Sequence, residues 1–271
     1  MPSLREVVSV AHDLWPLSGA EDWDSPGLAV GDNSTSIKRI LLAVDAVDST
    51  VSEAIESKAD LLVTHHPLLF RGVTTVAEAT YKGHLIAELI RGGVALLACH
   101  TNADVVVDGV SDVIAQKLGL RNTVPITVGA TVDVGIGRVG DLVVPETLGS
   151  LARRLADILP ATATGIRVAG DYTQPIQRVA LCGGAGDSLL DEPAVRAADV
   201  YITSDLRHHP AQESRERTLL GTGPALIDVS HWASEWLWLE KAAEQLRSAL
   251  PGVEVLISDG RTDPWDFVVV Q

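Results

Sequence analysis

The chain states one strand-helix-strand plan twice, and that repeat constrains its fold more than any single motif. RILLAVD, from Arg39, is followed by ADLLVTHHP starting 20 residues later; RVALCGG, from Arg178, is followed at the same 20-residue offset by ADVYITSD. GVALLACHTNAD, from Gly93, then matches GPALIDVSHWASE, from Gly223: an apolar run, a histidine, and a carboxylate four residues on. Three matches in one order point to an internal duplication. Short unbroken apolar runs suit strands buried on both faces. The stretches between them, residues 49–58, 83–91 and 110–118, carry helical spacing, a Ser/Thr cap before the first and Gly119 in a C-cap position after the last. The expected fold is α/β: two related α/β halves with mixed, mostly parallel sheets. The first half spans residues 1–120 and the second 176–271, with a small central α/β segment over 121–175.

In that central segment, residues 127–134 read as a strand, 147–158 as a helix and 165–169 as a further strand. GIGRVG has the spacing of a dinucleotide loop, but no helix opens from it; residues 142–144 continue as a strand, so the glycines mark a strand connection. Aromatic residues make up only 4% of a chain that is 46% hydrophobic, so the core is built from aliphatic side chains. The formal charge of −15, with no Lys/Arg run, argues against general nucleic-acid binding, which rests on cationic contacts to phosphate. Cys99 and Cys182 end apolar runs and are expected as small buried residues, with no CxxC pairing. The N-terminus is charged and amphipathic, and no window approaches a membrane span, so a cytoplasmic protein is expected.

The chemistry-bearing residues cluster after the strands. His65 and His66 follow LLVT. Neighbours in a regular strand point to opposite faces, but past the strand end, with Pro67 extending the turn, both rings can converge. Asp104 follows the next strand in HTNAD, and His100 either contributes directly or orients it. His231 and Glu235 stand four residues apart at the start of a helical stretch, hence on one face, with Ser230 as N-cap. Three histidines and two carboxylates are too many for one open metal. They suit two divalent ions roughly 3.5–4 Å apart, and the absence of thiolate argues against a structural zinc site. The ions expected at such a site are zinc, iron or manganese. His208 and His209, with Asp205, are candidates for substrate contact or proton transfer. His12 and His84 are expected on helix surfaces, Trp232, Trp236 and Trp238 in packing, and Asp22-Trp23-Asp24 in a loop that either closes over the site or simply turns.

DWDSPGLAVG, THHPLLF, HTNAD, GIGRVG, CGGAG, ADVYITSDLRHH and SHWASE, in this order, resemble the Nif-three-like family, whose members are labelled GTP cyclohydrolase 1 type 2 homologues. The resemblance implies a two-half α/β fold, a dinuclear metal site, and a homo-oligomer in the form of a hexameric ring. The family's ligands fall on His65, His66, Asp104, His231 and Glu235. Thr203-Ser204-Asp205 stands where the family has Thr-Gly-Asp, and Ser230-His231-Trp232 where it has Gly-His-Tyr. Two functions follow: a metal-dependent hydrolase of a small substrate such as a nucleotide-like molecule, or a non-enzymatic regulatory or metallochaperone-like protein acting through partners.

Overall fold

The apolar runs become the central strands. A computed structural model describes residues 1–270. Its elements begin with α1 (Leu4–Leu14), β1 (Gly27–Val30), β2 (Arg39–Ala43), α2 (Asp48–Glu56), β3 (Leu61–Thr64), α3 (Tyr81–Gly92) and β4 (Ala95–Ala98). The single turn α4 (Thr101–Asp104), α5 (Val110–Lys117), β5 (Arg121–Val124), β6 (Thr127–Val128), β7 (Gly135–Ile136) and β8 (Arg138–Thr147) follow. Next come α6 (Leu148–Ile158), β9 (Arg167–Ala169), β10 (Pro175–Ala185) and α7 (Pro193–Arg196). The chain closes with β11 (Val200–Ser204), α8 (His208–Leu219), β12 (Ala225–Val229), α9 (His231–Ala249) and β13 (Glu254–Ile257). Among the described residues no helix is long and apolar enough to cross a membrane.

The chain divides into two compact units, neither continuous in sequence. The first comprises Met1–Ala103 and Leu239–Thr262. Its sheet runs β1-β4-β3-β2-β13, parallel from β13 to β4, with β1 antiparallel at the edge. β3 and β4 are buried along their whole length, as strands covered on both faces must be. Leu41, Leu62 and Leu96 pack with Val51 and Ala54 of α2 and Leu85 and Leu89 of α3. α1 opens on a capping box: Glu6 N–H donates to the Ser3 hydroxyl, and Ser3 N–H donates to the Glu6 carboxylate. α3 ends at Gly93, whose φ of 69° provides the left-handed C-cap.

The second unit comprises Asp104–Trp238 and the segment from Asp263 on. Its sheet runs β5-β8-β10-β11-β12-β9; β10, β11 and β12 are parallel, and β5, β8 and β9 pair antiparallel. Val139, Ala180, Val195, Tyr201 and Leu226 form its core. Residues 121–175, set apart in the sequence as a connecting segment, thus supply β5, β8 and β9 to this sheet. The duplication is visible in topology. The three parallel strands β2-β3-β4 of the first unit correspond to β10-β11-β12 of the second, and in each the antiparallel strand that precedes the third in sequence pairs with it: β1 beside β4, β9 beside β12.

Two local expectations change. Only Thr127–Val128 of the stretch 127–134 is strand; the rest turns back, closed by Gly129 N–H donating to Val134 O. The polar segment after β11 is the helix α8. GIGRVG is a strand connection as read. Arg138, fully enclosed, donates to Asp112 and to the carbonyls of Gly135, Gly137 and Val106, clamping the turn.

Candidate metal centre

In the first unit the donors stand at the carboxyl ends of adjacent strands. β3 ends at Thr64. Its parallel pairing continues briefly, with His65 N–H donating to Ala43 O and His66 N–H to Val44 O. The Thr64 hydroxyl then donates to His66 O and fixes the turn. His100 stands beyond the end of β4. The three rings gather with centroids 5.1–5.3 Å apart, and one ring nitrogen from each lies within 4.8 Å of the others. His100, left open in the sequence as donor or support, is placed with His65 and His66 as a third nitrogen.

Each ring is held by its Nδ1. His65 Nδ1–H donates to Cys99 O at 2.9 Å, His66 Nδ1–H to Asp45 at 2.7 Å, and His100 Nδ1–H to Asp24 at 2.7 Å. Carbonyl and carboxylate oxygens only accept, so each neutral ring presents its Nε2 lone pair, the tautomer that ligates a metal. Asp24 also accepts from Thr101 Oγ1–H. Burial by itself would raise its carboxyl, but the hydrogen bonds from His100 and Thr101 outweigh burial and hold it well below the usual carboxylate range. Trp23 and Phe70, both partly exposed, stand edge-on to His100 at 5.9 and 6.0 Å.

In the second unit, His231 opens α9, and its N-cap is Ser230, whose hydroxyl accepts from Ala233 N–H at 3.2 Å. Glu235, one turn on, meets His231 Nε2 at 2.8 Å, as the spacing requires. His231 Nδ1 faces Asp205 at 2.7 Å. Burial disfavours a charged imidazole, yet the Glu235 and Asp205 carboxylates together raise His231 well above its ordinary value. Asp205 itself sits at φ 57°, a left-handed backbone that Asp tolerates better than most residues, and the bond from His231 lowers its carboxyl. Asp104 and Glu235 both act on Cys182: burial first, then these two charges, push that thiol up to about 12. The three second-unit donors therefore share one neighbourhood.

Gly184, at the end of β10, makes the arrangement possible. Its φ is +69°, and a Cβ there would lie 2.5 Å from Glu235 Oε1 and 3.3 Å from His231 Nε2. The Ser234 hydroxyl accepts from Gly184 N–H and donates to His231 O, locking strand end to helix start.

His208 and His209 stand together, rings 5.2 Å apart, on the exposed first turn of α8. Trp232 and Trp238 are buried, as packing residues should be; His84 is on the surface and His12 is half-buried. The sequence did not single out Asp45 or identify Asp24 as a support. The one available signal was a carboxylate at a strand end (RILLAVD) and another in the DWD loop. Gly184 and Ser234 carried no signal beyond CGGAG and SHWASE themselves.

Parallel strands whose carboxyl ends carry histidines, each held by an acceptor, define an α/β protein with side-chain groups that could hold a metal ion. The profile of the family described as Duf34/NIF3 (NGG1p interacting factor 3) matches residues 2–264, and the chain belongs to that family. It is 46% identical over 272 residues to a Streptomyces coelicolor protein named GTP cyclohydrolase 1 type 2 homolog, covering 98% of this chain and 94% of that one. Among solved structures it resembles the Staphylococcus aureus hypothetical protein SA1388, with TM-score 0.88 and 27% identity over 99% of this chain and 100% of that one. A Bacillus cereus protein related to NIF3 shares the fold, with TM-score 0.87 at 21% identity over 99% of each chain.

Proposed function

We propose that the chain is a divalent-metal-dependent hydrolase of a small substrate, holding two ions (zinc, iron or manganese) through His65, His66, Asp104, His231 and Glu235. His100 joins them as a further donor. The observation that carries this reading is the convergence of three imidazoles whose Nδ1 atoms are all engaged, an arrangement that a hydrophobic core does not need and a metal does. The donor set fits: neutral imidazole nitrogen and carboxylate oxygen, with no thiolate, suit catalytic zinc, iron or manganese. Such ions polarise a scissile bond and lower the pKa of bound water.

The rest falls to the chain's own residues. Asp45 and Asp24 orient His66 and His100. Asp205 holds His231, whose Nε2 would hold a cation in place of the proton it shares with Glu235. His208 and His209 are candidates to carry protons. The protein works as a homo-oligomeric ring of six in the cytoplasm, without nucleic acid or membrane. A second, non-enzymatic reading as a regulatory or metallochaperone-like protein draws on one observation: Trp265, Phe267 and Val268–Val270 are exposed at the C-terminus, an apolar segment suited to a partner.

The test is metal analysis of anaerobically purified protein, followed by a hydrolase screen with the metal restored. His65→Ala and Glu235→Ala should lose metal and turnover together. Turnover that survives loss of both ions sinks the hydrolase, and metal binding without turnover favours the second reading.

A further inference from the structure

The sheet of the second unit carries a further feature, lined in part by His208 but by none of the proposed metal donors. Against the edge strand β9 and under α8 is a pocket of about 590 Å³, within the range of small-molecule sites. Arg167 and Asp228, register partners on β9 and β12, pair across its floor. Asp228 is over nine-tenths buried; its carboxylate faces the Arg167 guanidinium and the Leu206 backbone N–H, and no hydrogen bond of normal geometry reaches its Oδ1. A buried acceptor left unmet is costly, and a donor from a ligand relieves it. Arg167 keeps much of its guanidinium open to the pocket, and Arg215 and Glu216 line its mouth. α8 begins there without a side-chain cap, its free N–H groups favouring an anion.

Two guanidinia and two carboxylates balance, so neither a plain anion nor a plain cation is matched. We infer that this pocket binds a small zwitterion of the amino-acid or short-peptide kind. Its carboxylate sits on Arg167, Arg215 and the start of α8, its ammonium on Asp228, and its aliphatic part against Val168, Leu206 and Leu226. This goes beyond the metal reading and does not rest on it.

Isothermal titration of the full, metal-free chain with L-alanyl-L-leucine tests it, since removal of metal prevents chelation from imitating binding. The dipeptide should bind with a dissociation constant on the order of 1 mM or tighter. Isovalerate and isoamylamine, each lacking one charge, should bind at least about tenfold more weakly. Arg215→Ala and Asp228→Asn should each weaken the dipeptide about tenfold. Arg215 is exposed, so its variant carries the test even if Asp228→Asn fails to fold. No binding of the dipeptide, equal binding of isovalerate, or an unchanged Arg215→Ala overturns the inference. Failure of the metal proposal leaves it standing.

Discussion

Asp45 lies two residues past β2 and divides its oxygens between His66 Nδ1 and the Thr262 hydroxyl. An acceptor in that position fixes both the tautomer and the angle of the ring. Replacing Asp45 with Asn removes the charge and lets the amide present either face. Metal affinity should fall about 10–100-fold, read by competition with a chromogenic chelator, while the circular dichroism spectrum stays unchanged. Equal affinity in the two proteins would show that His66 does not depend on Asp45. At this scale the sequence was informative about which side chains gather at the candidate site and silent about their supports. HHP, HTNAD and SHWASE are local patterns, legible because a strand end or a helix turn dictates where their side chains go. Asp24 reaches His100 across 76 positions. No local spacing encodes that.

Elements with an apolar face were legible, and those without one were not. β2, β3, β4 and their helices followed from periodicity. α8, HHPAQESRERTL, buries only Ser214, so no stripe betrays it. α1 offers a test of what caps contribute. The Ser3 backbone and hydroxyl lower the Glu6 carboxyl from its ordinary 4.5. Because the folded value is the lower one, this stabilisation is present above 4.5 and is lost as pH falls through the folded value. Amide exchange in the first turn of α1 should therefore accelerate on acidification before the strands respond. Glu6→Gln should show faster exchange at neutral pH and no such step. A first turn whose protection tracks the global transition at every pH would contradict this.

For the whole molecule, the proposed metal binding ties occupancy to stability, since a ligand that binds only the folded chain stabilises it. At a thousandfold excess over Kd the gain is about 4 kcal/mol, which for a chain of this size shifts Tm by on the order of 10 °C. Scanning calorimetry with and without chelator measures it, and coincident transitions would argue against tight binding by the folded state. The α/β class and the duplication were legible because three motifs recur in order. The assignment of segments to units was not, since strand pairing pays no heed to distance along the chain. β13 is the case in point: it pairs with β2, Glu254 opposite Arg39. On a ribosome the first unit therefore emerges one strand short and stays so until residues 254–257 are made, after every strand of the second unit. Until then its sheet has an open edge at β2. Completion of the first unit thus waits on synthesis of the second, and loss of β13 would be felt first at β2.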